Sequence, residues 1–329
     1  MEWLPHNSSK WIQRASWWRD YLNEFRWSLG KDYQSPATAS FSVEPARLQG
    51  LVIRWPNTYE WATASKFLDD LLIGMQGLVR VEKVELAQPY HSAIIQAVYD
   101  GATYDIALDY TDIMDRIENE CLSRCRLYFK MQYRASGYDA SEYETTKIIP
   151  GGFINGDTKV YKFLPHVRRI ASSQPALYDV YGRFGLDFAK ETRSKAVRLL
   201  NEQQGFRFEG GLKKSRYSRF LQEVARAKIG IDLPGNGPLC FRLVDYFAVG
   251  ACVIGPRHEA LLHVPLEDRK HIVYTKDDLS DLVPLCAYYL EHDEERKAIG
   301  RNAREYFDSY LHRDQLARYY LHHILRHLP

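Results

Sequence analysis

The chain is poor in the features that mark specialised protein classes. It has five cysteines in 329 residues and no C-x-x-C pair. Neither a disulfide framework nor a thiolate zinc site is expected, and a reducing compartment fits. No apolar run approaches the ~20 residues of a membrane span, and the first residues have neither a basic n-region nor an apolar h-region. A soluble, cytoplasmic protein is the expectation. Charge of one sign is also scarce, because 44 Lys and Arg against 42 Asp and Glu leave a net charge of +2. That is too little for a dedicated nucleic-acid binder. The G-x-S-x-G elbow is absent, which disfavours an α/β-hydrolase. Cys121 and Cys125 lie four apart without further ligands nearby and read as buried thiols rather than a metal site.

Tryptophan is missing from most of the chain, since all seven fall within the first 61 residues. Residues 9–28 fit a helix on which Trp11, Ala15, Trp18, Leu22 and Phe25 share one face, and this stripe is expected to dock on the body. The alternative is that some of these rings face a sugar acceptor or a lipid interface, because tryptophan has an apolar face and a polar N–H edge.

Beyond Ser40 the chain alternates in a βα rhythm. Strands are expected at 48–55, 79–86, 104–109 and 125–133, and helices at 59–75, 92–99 and 113–122. A second rhythm follows Ser172-Ser-Gln-Pro175, with strands at 176–184, 206–209, 229–233, 251–255 and 271–275 and helices at 191–203 and 215–228. The tail from Ser280 is helical. Two α/β domains result, 1–172 and 173–329, each a mainly parallel sheet covered by helices, with the last helix free to cross back to the first domain.

The organising stretch is Leu233 to Pro256. Lys228 to Leu233 reads as a buried strand, Gly235-Asn236-Gly237 as a tight turn, and Pro238 as the first turn of a helix that Gly250 ends. Such a helix aims free N–H groups and a positive dipole end at the carboxyl edge of the sheet, where anions bind. Arg242 and Asp245 lie one turn apart on it. They suit a diphosphate and a ribose, or they form only a solvated pair. Pro150-Gly-Gly-Phe-Ile-Asn-Gly156 matches neither G-x-G-x-x-G nor G-x-x-x-x-G-K-[ST] and reads as a turn.

Two tandem βα domains, a glycine turn before a helix ending in Ala-Val-Gly-Ala-Cys-Val-Ile254, and a helical tail resemble a GT-B glycosyltransferase. The segment Gly235 to Gly255 is most similar to the exostosin-like and spore-maturation-type transferases. The resemblance implies two Rossmann-like domains facing a cleft, with a nucleotide-sugar donor (UDP-, GDP- or TDP-sugar) on the C-terminal one. A carbohydrate, lipid-linked or protein acceptor would be held by the N-terminal one, in polysaccharide or glycoconjugate biosynthesis. It assigns Asp245 to the donor ribose and Arg242 to the diphosphate, with Arg183 and Lys190 as further cations. Gly237 stands where glycogen-synthase-like retaining enzymes carry a second acid.

Cations and helix N–H groups aimed at the departing diphosphate would stabilise the transition state, so neither metal nor cofactor is expected. The absence of any D-x-D pair points the same way. Asp109 and Asp112, just past a strand end, are the positional candidates for a general base, ahead of His91 and His166. Glu259 after Gly255-Pro-Arg-His258 is placed to touch donor sugar or nucleotide, alongside the turn at Gly235, Asn236 and Gly237. Two other readings stay open: a non-catalytic nucleotide- or sugar-binding sensor or scaffold, and a sugar-nucleotide epimerase on the same fold. No nucleic acid is expected as partner, and peripheral membrane contact is left open.

Overall fold

The computed structural model describes residues 18, 20–61, 65–212 and 215–329. The first helix, α1, spans 20–28. Its apolar stripe does not dock as expected. Trp11 and Ala15 lie outside the described residues, while Trp18, Leu22 and Phe25 are 71%, 58% and 65% exposed. The inward face carries Asp20, Glu24 and Trp27 instead, spaced four and three apart. Trp27 stacks on His166 and meets Phe163 edge-on, and Glu24 accepts from Ser218 Oγ at 2.7 Å.

In the first half the chain runs α2 (Pro45–Gln49), β1 (Val52–Pro56), α3 (Ser65–Gln76), β2 (Arg80–Val84), β3 (Ser92–Tyr99) and β4 (Ala102–Asp109). It continues as α4 (Asn119–Arg124), β5 (Leu127–Lys130), β6 (Tyr133–Arg134), β7 (Ile148–Pro150) and α5 (Val160–Ser173). Six strands form a sheet of order β2-β1-β3-β4-β5-β7. The stretch at 92–99, expected as a helix, is a strand that pairs antiparallel with both neighbours, so this sheet is mixed rather than mainly parallel. The cause lies in Asp100-Gly101, whose φ of +48° and +77° close a two-residue hairpin turn of the kind Asp-Gly favours. Ile94, Ile95 and Val98 then supply the β-branched surface that a strand packs well.

The second half follows the expected rhythm closely. Its elements are β8 (Tyr178–Arg183), α6 (Lys190–Glu202), β9 (Phe208–Gly211), α7 (Tyr217–Ala225), β10 (Ala227–Ile231), α8 (Phe241–Val249) and β11 (Cys252–Pro256). After β12 (Ala260–Leu261) and β13 (Val273–Thr275) come α9 (Leu282–Glu291), α10 (Asp293–Tyr306), a π turn at Phe307–Leu311, and α11 (Arg313–His327). Five parallel strands lie in the order β13-β11-β10-β8-β9. Buried β10 and β11 carry the apolar side chains Ile229, Ile231, Val253 and Ile254 at its centre.

Several contacts tie the halves together. α5 packs on α7 and α8, and α11 returns to lie on α3. At Gly74 a Cβ would sit 2.6 Å from Arg313 O, so that helix pair needs glycine for its close approach. β6 and β12 form an antiparallel ladder across the halves. Buried Arg168 of α5 pairs with Asp308 at 2.9 Å.

Candidate active site

The C-terminal sheet reverses its strand order between β8 and β10, since β9 lies beyond β8 and β11 beyond β10. In an open α/β sheet the crevice outside the carboxyl ends at such a reversal binds ligands. A cleft of about 480 Å³ opens at this edge. Its C-terminal wall is the turn 232–238, the loop 256–259, Thr192 of α6 and Asp277. Asp112 to Asp115, following β4, form the facing wall.

The glycine turn is where the halves come closest. Gly235 N donates to Gly237 O at 3.0 Å. A Cβ on Gly237 would lie 2.6 Å from both Asp112 O and Gln132 Nε2. This glycine is therefore required by the approach of the facing wall. Buried Gln132 clasps the same segment, donating to Leu239 O at 3.0 Å and accepting from Leu239 N at 3.1 Å. Asp112 accepts from Gln132 on its own side and from Asn236 across the cleft, and burial raises its carboxyl above the ordinary range. Asn236 and Glu259 are exposed along the lining.

The expected cations are not at the cleft. α8 begins at Phe241, with Pro238 outside it, and every residue from Arg242 to Val249 is buried. Arg242 lies over the Phe184 ring and donates to Asp232 Oδ1 (3.2 Å), Leu233 O (3.1 Å) and Arg183 O (3.2 Å). Its guanidinium locks the strand ends instead of meeting a diphosphate. Arg183 turns towards α7 and pairs with Glu223 at 2.7 Å and Glu209 at 3.0 Å. Lys190 is exposed at the start of α6, and it is Thr192 that reaches the lining.

Neither Asp245 nor Asp109 is open to the cleft. Asp245 is buried between the halves, where it accepts from Tyr217 OH at 2.7 Å and Asn155 Nδ2 at 3.0 Å. Burial pushes its carboxyl up to about 6, with those hydrogen bonds opposing the rise. Asp109 accepts from Lys130 Nζ at 2.8 Å, Tyr128 OH at 2.6 Å, and both N and Oγ1 of Thr111. Such a fully engaged buried carboxylate is an anchor for the sheet rather than a base. His166 lies under Trp27, and His91 lies between Trp61 and Tyr90.

Other side chains take the expected places. Arg193 of α6 is 4% exposed, donates Nε to Pro234 O (3.0 Å) and Nη1 to Gly185 O (2.7 Å), and brings Nη2 to the Gly235 turn. Asp232, directly after β10, accepts from Arg242 and lies 3.2 Å from His258 Nε2. Arg257 rests over the Tyr274 ring at the cleft mouth. Asp232 before the Leu-Pro-Gly turn and His258 after Gly255-Pro256 sit directly past strand ends, the position that would have singled them out. Among the acids of the lining, Asp232 is compensated by Arg242, and Asp115 pairs with Arg134. No group of three or more His, Cys, Asp or Glu among the described residues is placed to hold a metal ion.

Residues 180–322 match the model of a family described as glycosyl transferase-like. This bears out the sequence resemblance over residues 180–322, and the two α/β halves face each other across the cleft. Similar solved structures include the C-terminal domain of a glycosyl transferase group 1 family protein (LpcC) from Francisella tularensis. It is 10% identical, with a TM-score of 0.30, and the match covers 40% of this chain and 85% of that one. Another is a glycosyltransferase from Rickettsia africae ESF-5, 12% identical with a TM-score of 0.39, matched over 56% of this chain and 58% of that one. No curated protein matches the chain.

Proposed function

We propose that this chain, whose second half is glycosyl transferase-like, moves a sugar from a nucleotide-sugar donor to an acceptor hydroxyl without a metal ion. Residues 173–329 would hold the donor and 1–172 the acceptor. The observation that carries the reading is the position of the 480 Å³ cleft, at the strand-order reversal of the C-terminal sheet and walled on its far side by Asp112 to Asp115. That volume lies in the range of small-ligand sites. A diphosphate laid against the Gly235 turn would lie beside the N-terminal end of α6, with the Arg193 guanidinium buried directly behind the turn, and both suit the charge that develops as the sugar–phosphate bond breaks.

Thermal shift with UDP, GDP and TDP tests the site, because a ligand of the native state raises its stability by mass action. One nucleoside diphosphate is expected to raise Tm, and the matching nucleotide sugar to be slowly hydrolysed in EDTA. Binding without any release would favour a sensor. Activity lost in EDTA and restored by Mn²⁺ would refute metal independence.

A further inference from the structure

We infer that His258 is the base that removes the acceptor hydroxyl's proton, an inference that rests on the glycosyltransferase reading and adds a catalytic residue to it. His258 lines the cleft, yet its side chain is only 7% exposed. Its Nε2 lies 3.2 Å from Asp232 Oδ2, while Nδ1 is buried without a hydrogen-bond partner. A carboxylate only accepts, so Nε2 carries the ring proton and Nδ1 the free lone pair. Buried polar atoms are ordinarily hydrogen-bonded, and His263 and His323 also carry unpartnered ring nitrogens, but of the three only His258 belongs to the lining of the ligand-sized cleft, where a bound hydroxyl would supply the missing partner.

The imidazole is held in one orientation, because Arg242 Nη1 fixes the other oxygen of Asp232 at 3.2 Å. Tyr274 presents its ring edge-on from β13 with centroids 5.8 Å apart. The charged groups around the ring are Asp232 and Arg242 behind it, Arg257 and Glu259 on its own loop, and Asp277 and Asp112 elsewhere in the lining. An adjacent base oriented by a carboxylate is the arrangement that activates hydroxyl nucleophiles in general.

In the step, the acceptor oxygen forms its bond to the anomeric carbon as its proton passes to Nδ1. The bond from that carbon to the diphosphate oxygen breaks, and its electron pair leaves with the nucleoside diphosphate. The imidazolium, balanced by Asp232, then returns its proton to solvent.

The test follows nucleoside diphosphate release by the full chain with water as acceptor, from whichever of UDP-glucose, GDP-mannose and TDP-glucose is turned over fastest. His258→Gln keeps an N–H for Asp232 and lacks a basic nitrogen, and His258→Ala is the second variant. Both are expected to lose about 100-fold or more in kcat while binding the nucleoside diphosphate nearly as wild type does. The single-deprotonation limb of the wild-type pH profile should vanish, and imidazole should restore part of the rate in His258→Ala. A variant that keeps near-wild-type kcat with the limb intact, or that loses affinity and rate in parallel, would overturn the assignment. Wild type that neither binds a nucleoside diphosphate nor releases one would instead bring down the transferase reading, and this inference with it.

Discussion

Replacing Asp70 by Asn should stabilise the protein at neutral pH, although it alters a fully buried residue. Asp70 lies on the inner face of α3, 1% exposed, and neither carboxylate oxygen has a hydrogen-bond partner. The nearest cation, Arg313 Nη1, is 3.9 Å away and also serves Asp32. Burial pushes the carboxyl up to about 7 from 3.8, opposed by Arg313 and assisted by Asp69, Asp157 and Asp32. A folded-state value above the unfolded one means that the native protein holds the extra proton. Stability is therefore complete below about pH 4 and falls as pH rises through about 7. Three units at 1.36 kcal/mol set an upper bound of about 4 kcal/mol, and relaxation around the site brings the expected loss to roughly 1–3 kcal/mol. Asn keeps the shape and never ionises. Urea denaturation of both proteins from pH 4 to 8 should give curves that nearly meet at the acid end, diverge steadily from about pH 4 and run parallel above about pH 7, with the variant more stable. Asp245, pushed up to about 6, adds a slope of the same sign to both and cancels in the difference. A variant less stable by the same amount at every pH would show that Arg313 holds Asp70 as an ion pair, and would refute the argument.

Gly237→Ala drives a methyl group into Asp112 O and Gln132 Nε2, so it should widen the cleft, weaken nucleoside diphosphate binding in calorimetry and cost about 1–3 kcal/mol of stability. Unchanged affinity and melting would remove this contact from the site. Lys130→Met leaves the Asp109 carboxylate buried without its cation and should cost about 3–5 kcal/mol, whereas Lys130→Met with Asp109→Leu should recover part of it. A double variant no better than the single one would argue against an ion-pair anchor. Arg242→Ala strips Asp232 of its fixed partner, and the expected loss of roughly 3 kcal/mol should appear in denaturation rather than as a selective loss of ligand affinity.

How far the sequence could be read follows from where each signal lies. The parallel half was legible because buried β10 and β11 read as apolar runs and Gly250, at φ +91°, does close α8 as a C-cap. The antiparallel hairpin was not, because the run from Ser92 to Tyr99 is short and apolar and fits a buried helix as well as a strand. Asp100-Gly101 was the available clue. The turn at Gly235 to Gly237 lines the cleft, whereas Arg242 and Asp245, read in the sequence as facing ligand, are buried away from it. α8 is covered all round by α5, α7 and α10, so its charges must find partners inside the protein, and periodicity along one helix cannot reveal how many neighbours enclose it. His258, which lines the cleft, and Arg193, buried behind the glycine turn, stand singly in the sequence, and only the fold brings them beside Asp232 and that turn.

The return of α11 to α3 has a consequence for biosynthesis. Phe67, Leu68, Leu71 and Met75 are buried in one cluster with Leu316, Ala317, Tyr320 and Leu321. On the ribosome, residues 52–150 can pair their strands while the cover for α3 is still unmade. At ordinary synthesis rates that apolar face waits roughly 8–35 seconds for the helix that completes it. The first half of the chain is thus the last to be finished, and a nascent chain stalled after α8 should engage chaperones through α3.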